Sequence, residues 1–568
     1  MKLVIAEKPS VAISIAKVIG ANKKKDGYYE GNGYRVSWCV GHLIQMANPD
    51  VYDEKYAKWN ITDLPIVPKN YKYEIAKSTR KQFNILKKLM NDKEIDTVIN
   101  ACDAGREGES IFRLVYNEAK CKKKMQRLWI SSMEDSAIKE GFDNLKDGNA
   151  YDNLFKSAQA RAIADWLVGM NISRLYSCLY KQNYSVGRVQ TPTLAMIVKR
   201  DDEIANFKKE KYYTVELSMD GFTLSTDRID DEIAAEQLLN LVGNKIEITN
   251  VTQKEKITKP DLLFDLTTLQ RECNKYFGYS AKQTLDYAQS LYENKLITYP
   301  RTDSRCLTED MITSTINNIL GKNDFDTKRI KMVFNSKKVT DHHAIIPTIS
   351  SLNEDVSKLP LSEAKVYFLI SDKFHASVGY PLIENTTKIV ASFDGFEFTS
   401  TGKVIKDEGF SKYLEEYMTK KSGDIVLPDV SVRDVLVIES KEIKEKYTQP
   451  PKHFTEDTLL KSMEIAGNEA LEKGVEVERK GLGTPATRAG IIENLIFKGF
   501  VERDKKNLIA THKGISLVTI VADSFKSAET TAKWEMELSD IAQGKSSKKE
   551  FLDAIENEIK EAVLTYRK

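Results

Sequence analysis

Two segments of this chain, far apart in sequence, read almost alike, and the pair constrains the fold more than any other feature. Residues 217–224 (LSMDGFTL) and residues 391–398 (ASFDGFEF) both place an Asp-Gly pair between short runs that alternate apolar and polar residues. Asp-Gly favours the tight turn of a β-hairpin. We interpret the two hairpins as halves of one discontinuous β domain, so the mostly helical sequence between them, from about 263 to 380, must be an insertion.

The first 145 or so residues alternate short apolar runs with amphipathic segments, which is typical of an α/β domain with a parallel sheet. Residues 3–6 predict a buried strand, and an amphipathic helix is predicted from about Ser10. Residues 97–102 predict a second buried strand, again followed by a helix with one apolar face. With the β domain and the further helical segments, the predicted fold class is multidomain, combining α/β, α and β parts.

Carboxylates follow both predicted strands. Glu7 comes directly after the first strand, and Asp103 and Glu107 come after the second. Ligands bind outside the carboxyl ends of parallel strands, and carboxylate oxygens suit Mg²⁺. We therefore predict a magnesium site formed by these three side chains, while helix capping and solvation are the alternative explanation for acids at helix starts. Crowding should raise the pKa of Glu7, so we also predict that it transfers a proton near a leaving oxygen, and that Lys8 stabilises phosphoryl charge.

The segment 296–304 (LITYPRTDS) contains the candidate nucleophile, Tyr299. A phenol with a pKa near 10 attacks poorly unless cations stabilise the phenolate, but it leaves well, so a phosphotyrosine ester can form and reverse without ATP. Arg301 can present a planar guanidinium to two phosphate oxygens. The alternatives are a packing role for Tyr299, as for most of the 25 tyrosines, and a structural salt bridge from Arg301 to Asp303.

Residues 3–10 (LVIAEKPS), 103–109 (DAGREGE) and 296–304 together resemble the type IA DNA topoisomerases, most closely the topoisomerase III branch, and the similarity runs along most of the chain. In that family the acidic strand ends belong to a Toprim domain with the motif Asp-x-Asp-x-Glu. Gly105 stands at the middle position of that motif here and removes one carboxylate. The resemblance therefore implies a metal site that is weaker, shifted or completed by Glu109.

The resemblance also implies residues that contact DNA. His342, in the segment 341–347 (DHHAIIP), matches the family histidine that contacts the scissile phosphate, and a helix-end packing role is its alternative. Hydroxyl, amide and guanidinium groups at helix starts are suitable phosphate ligands. A second set matches family segments that line the path of single-stranded DNA: Arg188, Gln190, Thr191, Thr484, Thr487 and Arg488.

The family architecture implied by the resemblance is a toroidal core. On this chain it predicts a Toprim α/β domain at residues 1–145, a helical, winged-helix-like domain lining the DNA path at 146–210 and 447–568, a β arch at 211–262 and 380–446, and a helical domain at 263–379 that carries Tyr299. We call this last domain the gate. An insertion joined to its host through two strands can swing as a unit, which is what strand passage requires.

The implied enzyme cleaves one DNA strand through a 5′-phosphotyrosine, passes DNA through the break and rejoins it, with Mg²⁺ as cofactor and DNA with single-stranded regions as substrate. The chain has no Gly-x-x-x-x-Gly-Lys-[Ser/Thr] loop, which agrees with a reaction independent of ATP. Two alternatives keep the acids but make Tyr299 structural. One is a Toprim-type metal-dependent nuclease or primase, and the other is an inactive scaffold that binds single-stranded DNA.

Composition and residue spacing limit the partners and the cellular location that we expect for this protein. A net charge of +2 gives no global sign of a nucleic-acid partner, so any DNA-binding surface must be local. No apolar run approaches the ~20 residues of a membrane span, and the six cysteines lack the spacing of zinc ribbons. We expect a monomeric, cytoplasmic protein with no membrane partner, and a helicase is a candidate protein partner.

Overall fold

The computed structural model describes residues 1–130, 133, 135–320, 325–339, 342–417, 426–466 and 481–567. Asp341, the first residue of the histidine segment, lies outside these ranges. None of the helices among the described residues is long and apolar enough to cross a bilayer.

The N-terminal region is an α/β layer, as the alternating pattern predicts. Its strands are β1 (Lys2–Ala6), β2 (Lys23–Lys25), β3 (Tyr28–Gly31), β4 (Tyr34–Trp38), β5 (Ile44–Met46), β6 (Tyr73–Ile75), β7 (Thr97–Ala101), β8 (Lys124–Arg127) and β9 (Lys146–Asp147). Seven of them form one sheet in the order β2-β3-β4-β1-β7-β8-β9, and β5 pairs with β6. The helices α1 (Pro9–Ile19), α2 (Arg80–Met90), α3 (Arg106–Glu118) and α4 (Asp135–Asp143) complete the layer.

The register of the central strands positions the acidic residues. β1 pairs in parallel with β7, and Ala6 lies opposite Ala101. Both strands are buried on both faces, as strands in parallel sheets usually are. Glu7 and Asp103, which follow these strands, therefore lie side by side at one edge of the sheet, and we call these two residues the acidic edge.

Two long helices, α5 (Asp152–Tyr180) and α6 (Gln190–Ala205), follow the N-terminal layer. Their apolar faces share the largest hydrophobic core of the molecule with C-terminal residues such as Leu495, Leu517 and Leu538. The chain on either side of the β arch and the gate therefore packs into one helical body.

The arch is a seven-stranded sheet. Its strands are β10 (Lys211–Met219), β11 (Phe222–Thr226), β12 (Lys245–Thr258), β13 (Leu382–Phe393), β14 (Phe396–Asp407), β15 (Val435–Val437) and β16 (Ser440–Tyr447), in the order β15-β12-β13-β14-β11-β10-β16, with helix α7 (Glu232–Leu241). Each Asp-Gly pair forms the turn of a hairpin, and Gly221 and Gly395 take the left-handed backbone conformation that such turns require. Because β11 pairs with β14, the two similar hairpins lie side by side in one sheet.

The gate is inserted between the end of β12 and the start of β13. Its helices are α8 (Leu266–Phe277), α9 (Ala281–Glu293), α10 (Ile312–Thr315), α11 (Thr327–Val333) and α12 (Leu361–Val378). The Asp265 and Ser280 side chains cap α8 and α9, each in a reciprocal capping box. Tyr299 lies in the loop after α9 and forms part of the core that α8, α9 and α12 share.

The C-terminal region combines short strands with helices. It contains β17 (Phe454–Thr455), β18 (Val501–Asp504) and β19 (Asn507–Ala510), with α13 (Glu456–Ile465), α14 (Pro485–Phe497), α15 (His512–Ile520), α16 (Asp523–Lys526), α17 (Ala528–Ala542) and α18 (Lys548–Arg567). The antiparallel pair β18–β19 directly follows α14, which is the helix-then-hairpin order of a winged-helix unit. The exact domain boundaries given above stay predictions.

Candidate active site

A cleft of about 430 Å³ brings together side chains from several parts of the chain. The acidic edge contributes Glu7 and Asp103, and the gate contributes Tyr299 and Arg301. Lining residues from the N-terminal layer, the helical body and the gate that are used below are Arg106, Glu107, Arg161, His342, Arg488 and Glu535. The cleft therefore lies where the gate meets the N-terminal layer and the helical body.

The Tyr299 hydroxyl donates a short hydrogen bond to Oδ2 of Asp103. The tyrosine is 7% exposed. Burial raises its pKa well above the usual value for a phenol, the negative charges of Asp103 and Glu7 raise it further, and the charge of Arg301 lowers it. In this arrangement the phenol is held protonated, with a carboxylate already bonded to the proton that must leave before the oxygen can attack.

Two rings fix the orientation of Tyr299. The Tyr292 ring meets it edge to face with centroids 5.3 Å apart, and the His342 ring lies 4.4 Å away. His342 is buried and also lines the cleft. The structure thus brings the predicted histidine to the predicted nucleophile, although the two residues lie far apart in sequence.

Glu7 carries the second carboxylate of the acidic edge and is 6% exposed. Burial raises the pKa of Glu7 to about 7, the charge of Asp103 acts in the same direction, and the charges of Lys8 and Arg301 oppose the shift. The Asp103 amide donates to Oε2 of Glu7 at 3.4 Å. Among the described residues neither carboxylate has an ion-pair partner within 4.0 Å. Two adjacent carboxylates without a fixed cation suit a hard metal ion.

Glu107, the third predicted metal ligand, turns to other partners. Its carboxylate lies 3.4 Å from Nε2 of His42 and 3.4 Å from Nη1 of Arg161, and these contacts lower its pKa. Within the described ranges no group of three His, Cys, Asp or Glu side chains is close enough to hold a metal ion. The structure brings two of the three predicted ligands together, and Glu107 lines the cleft farther along.

Glycines shape the loop that carries Asp103. Gly105 precedes α3 with φ 155° and ψ 176°, a conformation that is essentially restricted to glycine. A Cβ atom on Gly108 would lie 2.1 Å from the Asp103 carbonyl oxygen, so only glycine lets the first turn of α3 pack against this loop. The departure from the family motif at Gly105 therefore has a backbone explanation as well as a chemical consequence.

Glu109 is not free to complete the metal site. It is 1% exposed, and its oxygens meet Nε of Arg113 at 2.8 Å and Nε of Arg127 at 3.2 Å. Arg127 in turn donates to the carbonyl oxygens of Cys102 and Asp103, each at 2.7 Å. The suggestion that Glu109 supplies the missing ligand is wrong in this geometry, because its carboxylate is used inside the protein to hold Arg127.

The sequence interpretation did not identify Arg127, which fixes the Asp103 loop from beneath. Its guanidinium is 1% exposed and also donates to the carbonyl oxygens of Asn100 and Leu128. A signal was present, because an arginine that ends a short strand beside a buried strand is an unusual core residue.

Arg301 and Lys8 supply positive charge at the acidic edge. Arg301 lines the cleft, its Nε atom is buried without a hydrogen bond, and its charge lowers the pKa of both Glu7 and Tyr299. No ion pair joins the described side chains of Arg301 and Asp303, so the salt-bridge alternative fails. Lys8 precedes α1, is half-buried, and acts on Glu7 through its charge.

The first group of predicted DNA-binding residues is engaged within the protein. Arg188 is buried and donates to Asp165 at 2.8 Å and to Glu535 at 2.7 Å. Gln190 donates to Ser185 and accepts from Asn494, and the Thr191 hydroxyl accepts from the Gly187 amide at 3.0 Å. These side chains build the start of α6, and a contact of theirs with DNA stays a prediction.

The second group surrounds the start of α14 at the cleft. Thr484 caps this helix and exchanges hydrogen bonds with Thr487, while Pro485 occupies the first turn. Arg488 is buried and donates to the Leu482 carbonyl and to Thr267 of the gate, at 2.8 Å for the latter. Thr484 and Pro485 line the cleft, so the positive end of the α14 dipole faces it, as an anion site requires.

Comparisons with known proteins agree with this geometry. A sequence family described as DNA topoisomerase matches residues 149–553, and one described as Toprim domain matches residues 2–133. The chain is 38% identical to DNA topoisomerase 3 of Bacillus licheniformis over 99% of its own length and 81% of that protein. It is 38% identical to DNA topoisomerase 3 of Bacillus subtilis over 100% of its length and 82% of that protein.

A solved structure shares the whole fold. Full-length topoisomerase I from Thermotoga maritima superposes with a TM-score of 0.76, at 23% sequence identity, over 100% of this chain and 90% of that one. At this identity the match establishes the fold, and it confirms the predicted combination of an N-terminal α/β domain with helical and β domains.

Proposed function

Because this chain belongs to the type IA DNA topoisomerases, we propose that Tyr299 is the nucleophile of its strand-cleavage reaction. The enzyme, which is similar to topoisomerase 3, breaks one DNA strand, passes DNA through the break and rejoins it, and neither the nuclease nor the scaffold alternative gains support. The assignment of Tyr299 rests on one observation: its hydroxyl donates a hydrogen bond to Asp103, which lies beside Glu7 in the same cleft.

The two carboxylates of the acidic edge suit the two proton transfers of cleavage. Tyr299 attacks the phosphorus of a phosphodiester, and its proton passes to the hydrogen-bonded Asp103. The bond between phosphorus and the 3′ oxygen breaks, which leaves a 5′-phosphotyrosine. Glu7, with a pKa of about 7, is partly protonated at neutral pH and can give its proton to the departing oxygen. Rejoining reverses each transfer, so the energy of the broken linkage is conserved.

Three side chains would stabilise the reacting phosphate. Arg301 has a planar guanidinium near Tyr299 that fits two non-bridging oxygens, and Lys8 adds charge beside Glu7. His342, whose ring packs on Tyr299, is placed to contact the same phosphate. Fixed cations aimed at the developing charge are usually a large part of such catalysis.

Glu7 and Asp103 would also hold Mg²⁺, the ion that suits carboxylates and phosphate oxygens and keeps several waters. The fit rests on two adjacent carboxylates that have no ion-pair partner within 4.0 Å in the part of the chain that the structure describes. When bound, the ion supplies positive charge next to the phosphate. Glu107 would have to leave His42 and Arg161 to join this site, so a water-mediated contact is the simpler role for it.

Single-stranded DNA would run from the acidic edge past the start of α14, where Thr484, Thr487 and Arg488 surround the helix dipole. Type IA enzymes bind single-stranded DNA. We further propose that the enzyme acts as a monomer in the cytoplasm, with a helicase as a candidate partner.

A detergent-quenched cleavage assay tests the assignment of Tyr299. Single-stranded DNA labelled at its 3′ end should travel with the denatured protein, because a 5′-phosphotyrosine keeps that fragment attached, whereas label at the 5′ end should be released. Tyr299→Phe should abolish the adduct, and Tyr292→Phe, which changes the neighbouring buried tyrosine, should preserve it. Free ends without an adduct would indicate a nuclease, and an adduct that survives Tyr299→Phe would overturn the assignment.

A further inference from the structure

Three arginines from separate parts of the chain converge on one carboxylate. Arg106 at the start of α3, Arg161 on α5 and Arg188 before α6 form what we call the arginine cluster. Nη1 of Arg188 lies 2.7 Å from Oε1 of Glu535, and Nη2 of Arg106 lies 3.5 Å from Oε2. The charge of Arg161 also acts on Glu535. The side chain of Glu535, on α17, is 13% exposed.

Glu535 lies in the cleft that contains Tyr299, and Arg106 and Arg161 line the same cleft. A carboxylate whose two oxygens meet guanidinium groups from different segments presents one negative charge and two acceptors. A DNA phosphodiester presents the same charge and two non-bridging oxygens. In its single negative charge and its two acceptor oxygens, the Glu535 carboxylate that the cluster binds therefore resembles a backbone phosphate.

Every arginine of the cluster already has an internal partner. Arg161 meets Glu107 at 3.4 Å, Arg188 meets Asp165 at 2.8 Å, and Glu535 joins Arg188 to Arg106. Glu107 and Asp165 are 57% and 45% exposed, so water already screens them. Glu535 is far less exposed, at 13%, and two arginines share it. A phosphate that enters the cluster must therefore compete with it directly.

We propose that the Glu535 carboxylate occupies the place of a DNA phosphate in the free enzyme, and that single-stranded DNA binds by exchanging a phosphate for it. The exchange rests on the proposed function, because the strand must reach this cleft. In the absence of DNA, the Glu535 carboxylate holds the arginine side chains in place and balances part of their charge. Its consequence is a weaker affinity than three unpaired arginines would give.

Glu535→Gln tests the exchange, because glutamine keeps the shape and can still accept hydrogen bonds but removes the competing charge. The matched control is Glu537→Gln on the same helix, where the side chain is exposed and does not line the cleft. Binding of a fluorescent single-stranded oligonucleotide is measured in the Tyr299→Phe background, so that cleavage does not interfere. We expect Glu535→Gln to bind about tenfold more tightly, equivalent to roughly 1.4 kcal/mol, and the control to change less than threefold.

Affinity equal to that of the control, or weaker binding, would overturn the exchange and make Glu535 a residue that only positions the arginines. If thermal unfolding shows that Glu535→Gln is misfolded, Glu535→Asp takes its place; the shorter side chain cannot reach both Arg106 and Arg188, and it should also tighten binding. The proposed function is judged separately by adduct formation in the wild type. Adducts without the affinity gain would refute only the exchange, and absence of adducts would refute the function.

Discussion

The acidic edge and the arginine cluster face the same cleft, but their charges are balanced in different ways. Glu7 and Asp103 have no ion-pair partner among the described residues, whereas each arginine of the cluster is paired with a carboxylate. The acidic edge can therefore accept a proton or a metal ion without breaking an internal ion pair. The arginine cluster can accept a phosphate only by exchange.

The pKa values of two carboxylates express this difference. Burial beside Asp103 raises the pKa of Glu7 to about 7, while three arginines outweigh burial and lower the pKa of Glu535 to about 2. At neutral pH Glu7 can hold a proton and Glu535 cannot. Two acids with opposite shifts in one site are typical of a division between proton transfer and charge binding.

The largest expected effect comes from Arg301, the cation whose charge lowers the pKa of the nucleophile at the acidic edge. Arg301→Lys keeps a charge but loses the planar fork, and we expect single-turnover adduct formation to slow by on the order of 10² to 10³. Binding of single-stranded DNA in the Tyr299→Phe background should change little. A loss of binding that matched the loss of rate would place Arg301 with the phosphate-binding residues and weaken the contrast.

Arg127→Lys should disturb the acidic edge from beneath. Lysine cannot reach both Glu109 and the Cys102 and Asp103 carbonyls, so the Asp103 loop should lose its alignment. We expect activity to fall by roughly 10- to 100-fold, with a higher magnesium concentration at half-maximal relaxation.

The control for this prediction is Arg113→Lys. Arg113 shares Glu109 but does not contact the Asp103 loop. The Arg113→Lys variant should lose thermal stability, while its magnesium concentration at half-maximal relaxation should stay that of the wild type. Equal magnesium profiles for the two variants would mean that Arg127 has only a structural role.

The raised pKa of Glu7 should make the free energy of unfolding depend on pH. Its carboxyl has a pKa of about 7 in the folded protein and 4.5 without the fold, so the folded state binds more protons between these values. The stabilisation is complete below pH 4.5 and is lost as the pH rises through 7. Without divalent metal, the free energy of unfolding of the wild type relative to Glu7→Gln should fall by up to roughly 3 kcal/mol over this range. A difference that does not vary with pH would show that Glu7 is not shifted.

The smallest effect is expected at Gly105. Gly105→Asp restores the carboxylate of the family motif but forces a glycine-only backbone conformation, at a cost of about 1 to 3 kcal/mol. We expect a lower unfolding temperature and no gain in magnesium affinity. Gly221→Asp, in an open turn of the arch with a positive φ, is the control for an aspartate that replaces a positive-φ glycine away from the cleft. Tighter magnesium binding by Gly105→Asp would show that the acidic edge can accept a third ligand after all.

Local patterns predicted much of this molecule. The Asp-Gly hairpins, the two buried strands that precede Glu7 and Asp103, and the residue types of the tyrosine segment were all visible in stretches of neighbouring residues. Because β1 and β7 pair in parallel, the residues that follow them meet at the same edge of the sheet, so the proximity of Glu7 and Asp103 could be predicted from the two strands alone.

The ion pairs between residues far apart in sequence could not be predicted. Arg188 pairs with Glu535, 347 positions away, and Glu107 turns to Arg161, 54 positions away. No local pattern encodes such pairs. One signal was available, because Glu535 stands among the buried residues Thr531, Trp534 and Leu538 of an amphipathic helix, where a carboxylate needs a buried partner.

Peptide mapping of the covalent adduct tests the central claim most directly. Wild-type protein is quenched on single-stranded DNA, digested with nuclease and protease, and analysed by tandem mass spectrometry. The account predicts a nucleotide mass on Tyr299, esterified through a 5′ phosphate. A nucleotide on Tyr292 or any other residue, or cleaved DNA with no modified peptide, would contradict it.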